Sequence, residues 1–300
     1  MTGITLANQQ IRLTVDPDQG VNILAGYVQR RGQWLPFMPD VTTGNSDLKA
    51  SSFLLIPYSN RIENGYFTFQ GKEYQLANGA RHASHGDVRG RSWQVVEQSH
   101  TRIDCAFDSQ NFSDINWPWP FTATAHYTLE DNCLRSELSV TNQGESAMPA
   151  GLGWHPYYNR TLTRVGEPIL VQYNVTSVYP DANDNRIPSG PPQPLAPQDF
   201  RTERELMPDN FIDACFYGYD GKATIAWPES GVQLHYETSA NCGHFIFYNP
   251  PKPYFAAEPV TNANNGVNLL ANGDSTSGIQ ILEPGATLRA HFTVTVESEA

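Results

Sequence analysis

The sequence predicts an all-β fold of antiparallel strands, and three observations predict it. Helical periodicity is almost absent over the 300 residues. Short runs of alternating or wholly apolar residues recur, with turn residues between them. The 23 Gly and 22 Pro concentrate between those runs, as a strand-rich fold with many turns requires.

The elements follow in order. Residues 10–15 alternate, and Asp16-Pro17-Asp18-Gln19-Gly20 then turns the chain. Tyr66-Phe67-Thr68-Phe69, a turn at Gln70-Gly71-Lys72 and Glu73-Tyr74-Gln75-Leu76 make a hairpin. Residues 121–129 and 133–141 alternate about Glu130-Asp131-Asn132 and make a second. Residues 223–227, 233–237 and 244–248 read as strands, and 287–296 as a long closing one. Residues 180–200 are rich in Pro, Asp and Asn and aperiodic. They read as a long loop rather than a linker, because strand-like sequence resumes with no change of character. With no repeat of fixed period, residues 1–300 read as one antiparallel β domain.

Composition excludes several function classes. The net charge of −12 repels phosphate backbones and anionic membrane surfaces, so neither nucleic acid nor membrane is an expected partner. No window approaches the roughly 20 apolar residues of a membrane span, and the first ten residues lack the pattern of a secretory signal. Cys105, Cys133, Cys215 and Cys242 show no CxxC spacing. Reduced thiols in a cytoplasmic protein are the expectation.

Four segments place ionisable groups beside Gly, Pro or aromatics. Arg61 lies in Pro57-Tyr58-Ser59-Asn60-Arg61-Ile62-Glu63-Asn64-Gly65, where it can equally tie a loop to backbone carbonyls. His85 lies in His82-Ala83-Ser84-His85-Gly86-Asp87 and His155 in Gly151-Leu152-Gly153-Trp154-His155-Pro156-Tyr157-Tyr158. Taken singly, a histidine in such a loop is more often structural, and no third His or Cys stands at metal-ligand spacing. Glu258 ends an apolar strand after Tyr254 and Phe255, and Asp213 is a similar acid in Phe211-Ile212-Asp213-Ala214-Cys215-Phe216. Burial logic makes these two candidate acid/base groups and no more.

Together these segments resemble the aldose 1-epimerase (galactose mutarotase) family. The matching stretches run in order over most of the chain: Asn60-Arg61-Ile62, Gly65-Tyr66-Phe67, Gly71-Lys72-Glu73-Tyr74, Ser84-His85-Gly86, Trp117-Pro118-Trp119-Pro120-Phe121, Gly151 to Tyr158, Asp213-Ala214-Cys215-Phe216, Gly218-Tyr219-Asp220-Gly221, and Glu258-Pro259-Val260-Thr261 with Asn268. Any one is weak; the ordered set is specific. The chain is shorter than galactose-specific members, and Pro259 follows the Glu where those usually carry another residue. It looks closer to a broader bacterial branch.

The resemblance implies a large antiparallel β-sandwich, the galactose mutarotase-like supersandwich, with the sugar on its concave face. It implies Glu258 as general base and His155 as general acid, with Arg61, His85 and Asp213 binding sugar hydroxyls. The implied reaction interconverts the α and β anomers of a free aldohexose. Opening a hemiacetal removes the anomeric hydroxyl proton while protonating the ring oxygen, which a carboxylate and an imidazole on opposite sides of the sugar can do. No electron or group is transferred, so no cofactor and no metal is expected. The partner is a small sugar, and a monomer or a homodimer is compatible with the sequence. Three rivals stand beside this reading. A hexose-6-phosphate 1-epimerase would add basic residues around a phosphate. A glycoside hydrolase would use two carboxylates, with Asp213 and Glu258 as the candidates. A non-catalytic carbohydrate-binding protein would keep the fold and lose the acid or the base.

Overall fold

A computed structural model describes residues 3–77, 82–195 and 199–298. Two large antiparallel sheets carry most of the strands, as the all-β expectation requires. The first runs in the order Ile4–Ala7, Ile11–Asp16, Asn22–Arg30, Ser52–Leu55, Gly153–Asn159, Tyr254–Val260, His244–Asn249, Ile212–Tyr217 and Ser177–Val178, with Gln33–Met38 paired to Asn22–Arg30. The second runs Gln94–Gln98, Arg102–Asp108, Phe121–Glu130, Cys133–Asn142, Thr287–Ser298, Val232–Thr238, Lys222–Trp227, Leu170–Tyr173 and Arg204–Glu205. The sheets pack face to face, and one apolar core draws on both, from Leu6 to Val296. Gly266–Ala271 is a short α-helix.

The expected hairpins form where alternation marks them. Phe121–Glu130 pairs with Cys133–Asn142 from Phe121↔Asn142 to Glu130↔Cys133, and every second residue from Phe121 to Leu129 is buried. One face covers the core and the other is wet, which is what a period of two records. Tyr66–Phe69 pairs with Lys72–Gln75 in the same way. The described residues of the stretch 180–200 hold no strand, and positions 196–198 lie outside them.

The centre of the first sheet differs from the sequence reading. Tyr254–Val260 is buried along its whole length, so both faces are covered and alternation disappears. Glu258 lies inside this strand rather than at its end, and His155 lies inside Gly153–Asn159 rather than in a loop. Both strands contain a proline, Pro156 and Pro259, a residue that normally argues against a central strand. The sheet accommodates them by a gap. Gly153 pairs with Val260 and Tyr157 with Ala256, and no residues are paired between.

Successive side chains on a strand face opposite ways. Trp154, Tyr158, Phe216, Phe245, Phe247, Phe255 and Ala257 turn into the core between the sheets. Phe53, Leu55, Cys215, Ile246 and Val260 form a separate apolar cluster on the other face. By the same alternation His155, Tyr157, Asp213, Tyr248, Ala256 and Glu258 share that outer face.

Loops are stitched onto it. Ser59 N donates to Asn262 Oδ1 at 3.1 Å, and Ser59 Oγ to Asn262 O at 2.9 Å. Asn265 N donates to Arg61 O at 2.7 Å, His85 N to Asn60 O at 2.6 Å, and Asp87 N to Ile56 O at 2.8 Å. This last approach needs glycine at 86, where φ is +69° and a Cβ would stand 1.9 Å from Ile56 O. Gly71, at φ +77°, has nothing within 4 Å of its missing Cβ. Gly71→Ala should therefore lose only the strain of a left-handed residue, about 1–3 kcal/mol, whereas Gly86→Ala should lose clearly more. Urea titration of the two variants checks this, and equal losses would show that the loop yields freely at Gly86.

Candidate active site

Strand register builds the site as two rows of side chains. In the first, His155 pairs with Phe53, Glu258 with Ile246 and Ile246 with Cys215. In the second, Tyr157 pairs with Ala256, Ala256 with Tyr248 and Tyr248 with Asp213. The small Ala256 leaves a low point between two tyrosines. His155 and Glu258 meet across the gap in the ladder, with Nε2 and Oε1 3.0 Å apart. They stand side by side on one face of the sheet. His155 is 4% exposed and Glu258 2%. His155 Nδ1 and Glu258 Oε2 are buried with no hydrogen-bond partner, and so is His85 Nδ1.

Loops deliver the other residues to the same face. Arg61 is on the short strand Arg61–Ile62, paired with Ala83–Ser84. His85 follows in a left-handed conformation at φ +67°, which puts its ring centroid 5.5 Å from that of His155 and 5.4 Å from that of Phe53. Asp213 projects from Ile212–Tyr217 and is bonded by Arg186 Nε at 2.5 Å. All five residues singled out in the sequence thus reach one region of the outer face.

Burial dominates the electrostatics. It pushes the proton affinity of Glu258 well above the ordinary carboxyl range, and the negative charge of Asp213 adds to this; the Asn60 amide and Arg61 guanidinium oppose it. Burial pushes His155 down to about 3, helped by the positive charge of Arg89. His85 is lowered by burial, then by His155, Arg89 and Arg61. Asp213 is raised by burial against the pull of Arg186 and Arg61. These mutual influences place the charged groups within one field. Burial thus drives both members of the contacting pair toward their neutral forms, the carboxyl toward keeping its proton and the imidazole toward giving one up.

Two cations escaped the sequence reading. Arg89 sits 4.8 Å over the Phe53 ring, and Arg186 comes from the aperiodic loop. Neither lies in a recognisable motif, whereas Tyr157, 4.7 Å from His155 between ring centroids, was inside one. Among the described residues no group of three or more His, Cys, Asp or Glu is placed to hold a metal ion, and no helix is long and apolar enough to cross a membrane.

The chain matches the family described as Aldose 1-epimerase over residues 4–295. It is 27% identical to YphB of Escherichia coli K12, a protein described as uncharacterized, over 99% of both chains. Galactose mutarotase of Sus scrofa is 28% identical over 46% of this chain and 40% of its own. Among solved structures, a putative aldose 1-epimerase of Escherichia coli K12 superposes with a TM-score of 0.83 at 25% identity, covering 99% of each chain. A galactose mutarotase-like protein of Clostridium acetobutylicum shares the fold, with a TM-score of 0.82 at 18% identity over 98% of this chain and 95% of that one.

The raised affinity of Glu258 has a consequence for stability. Above the ordinary carboxyl range the folded protein keeps a proton that the unfolded chain has released, so this residue makes unfolding easier as pH rises toward its folded value. Glu258→Gln removes that dependence. Its unfolding free energy relative to the unsubstituted protein should therefore grow as pH rises above the ordinary carboxyl range, from about pH 5 upward. Urea titrations along that rise measure it, and a constant difference would mean that Glu258 ionises as freely in the folded protein as in the unfolded one.

Proposed function

Because this chain belongs to the aldose 1-epimerase family, we propose that it interconverts the α and β anomers of a free aldohexose by acid–base ring opening and reclosure. The observation that carries the reading is the buried His155–Glu258 contact at 3.0 Å. Hemiacetal opening takes a proton from the anomeric hydroxyl and gives one to the ring oxygen, so the net proton count is unchanged. A pair holding one proton on two sites is matched to that demand: one member accepts while the other donates.

We assign Glu258 as the base and His155 as the acid. In the resting site burial favours the proton on the carboxyl. Arg61 and Asn60 favour the carboxylate, so the proton can pass to the imidazole along the existing contact as a sugar hydroxyl takes its place beside Glu258. The carboxylate then removes the anomeric proton while the imidazolium protonates the ring oxygen. Rotation about C1–C2 and closure on the other carbonyl face return both protons and give the opposite anomer. Arg61, His85 and Asp213 are assigned to holding the sugar's hydroxyls.

One observation favours a second reading, anomerisation of a hexose 6-phosphate. Arg89 is exposed beside Phe53, on the His155 side of the pair, with no carboxylate in contact among the described residues. Asp16, Asp18 and Asp47 line the same cleft, however, and the net charge is −12. The neutral sugar takes precedence.

Polarimetry on freshly dissolved α-glucose, α-galactose and their 6-phosphates tests the choice. The neutral sugars should show the higher kcat/KM, and a clear preference for a phosphorylated sugar would promote the second reading. Glu258→Gln and His155→Asn should each depress kcat by about 10² or more, and the two losses should be far from additive because they serve one ring opening. The alkaline limb of the kcat/KM profile should mark loss of the shared proton. Asp213→Asn removes a charge that raises Glu258, so it should move that limb to lower pH. Near-normal turnover by Glu258→Gln would remove Glu258 from the mechanism.

A further inference from the structure

We propose that Arg186 is a sugar-binding residue, paired with Asp213 to read two adjacent hydroxyls at the end of the sugar remote from its anomeric carbon. The proposal rests on the anomerisation reading above and deepens it by naming what fixes the substrate's far end. It begins from the loop that the sequence left without a role.

Arg186 is held in place far more firmly than an exposed loop residue needs. Its backbone is left-handed at φ +68°. Its N–H donates to Asp181 Oδ2 at 2.9 Å, and its carbonyl accepts from Asn264 Nδ2 at 2.9 Å. Its Nη1 bonds Asp184 Oδ1 at 2.5 Å and Asp181 Oδ2 at 3.2 Å, and its Nε bonds Asp213 Oδ2 at 2.5 Å. The guanidinium also lies 5.7 Å from the centre of the Phe211 ring. A non-glycine residue in this conformation costs about 1–3 kcal/mol, and such strain persists only where the surroundings over-determine it.

The guanidinium does not disappear into the core. It lines a cavity of about 400 Å³ together with Asp213, Asn264, Cys215 and Tyr179. That volume is in the range of small-molecule sites. Asn264 is 6% exposed, and its Oδ1 is buried with no hydrogen-bond partner. The cavity therefore offers a guanidinium donor, a carboxylate acceptor and an unmet amide acceptor.

That set suits a neutral diol. One hydroxyl can donate to Asp213 and its neighbour accept from Arg186, as each hydroxyl both donates and accepts. Three carboxylates around one guanidinium leave the corner net negative, which turns away a phosphate or carboxylate ligand. The placement also fits a hexose. The Asp213 strand is two strands from that of Glu258, roughly 10 Å at ordinary strand spacing. With the anomeric carbon at the His155–Glu258 pair, the hydroxyls on C3 and C4 form the vicinal pair farthest from it.

The test pairs substitutions with missing hydroxyls. The full chain and its Arg186→Gln and Arg186→Lys variants are assayed with glucose and with 2-, 3- and 4-deoxyglucose, following anomerisation by polarimetry and binding by calorimetry. Removal of the C3 or C4 hydroxyl should cost the unsubstituted protein about tenfold or more in kcat/KM. In Arg186→Gln most of that penalty should vanish, the KM for glucose should rise about tenfold with a smaller change in kcat, and the penalty for 2-deoxyglucose should persist. Arg186→Lys should recover part of the loss. A merely structural arginine would lower thermal stability and weaken all four sugars alike; that outcome, or undiminished deoxy penalties in Arg186→Gln, overturns the proposal while leaving the anomerisation reading intact. If the unsubstituted protein turns over none of the sugars, the anomerisation reading fails, and the calorimetric panel alone decides the role of Arg186. The same loss of discrimination in binding would sustain it, and absence of sugar binding would overturn it too.

Discussion

A carboxylic acid and an imidazole, buried against each other on the outer face of a β-sheet, set the terms for the rest of this structure. Such a pair is costly to ionise in place, because both groups are buried and, among the described residues, no Lys or Arg forms an ion pair with Glu258. It persists because two adjacent strands carry it at facing positions. The same two strands carry Pro156 and Pro259, and their ladder has no paired residues between Gly153–Val260 and Tyr157–Ala256. Each proline removes a donor that a continuous ladder would use. The break in the ladder and the place of the pair are thus one feature of the backbone.

Left-handed residues occur both around this feature and away from it, the latter at Val21, Arg31, Gln70 and Asp131. Asn60, Asn64, His82, His85, Arg186 and Asn265 all have positive φ, and each belongs to a loop that borders the outer face. The polar network through Asn262 and Asn265 ties those loops to the end of the Tyr254–Val260 strand and to the helix that follows. The opposite face of the same strands supplies the rigidity. There Trp154, Tyr158 and Phe255 pack against Tyr236, Trp227 and Phe292 of the second sheet. A site held to a fraction of an ångström needs this kind of backing.

Which parts were legible in the sequence follows from the same division. The hairpins at 66–75 and 121–142 could be read because one face of each is wet and the alternation survives. The strand Ser52–Leu55 could not, since all four of its residues are buried. Gly153–Asn159 was obscured by Pro156, which normally excludes a central strand. The positions of His155 and Glu258 came from an ordered family resemblance, not from periodicity, which gives no signal for a side chain on a doubly covered strand. Arg186 had neither aid. Its loop has no period, and its role depends on Asp213, 27 positions away in sequence and in contact only once the sheet has formed.

The field across the cleft acts on both members of the pair. Arg89 bears on His155 from one side, and Asp213 bears on Glu258 from the other. Both effects push the shared proton the same way, off the imidazole and onto the carboxyl. Arg61 acts against them at Glu258 and also lowers Asp213. The pair is therefore biased first by its burial and then by charges on neighbouring elements, and not by the two residues alone. Arg89 and Asp213 also line the two cavities that flank the pair, one shared with Phe53 and Tyr157 and the other with Arg186 and Asn264. On the proposed anomerisation, a hydroxyl bound in either cavity meets a charge that also bears on the pair. The residues assigned to holding the sugar and the pair assigned to moving its protons thus share one electrostatic field.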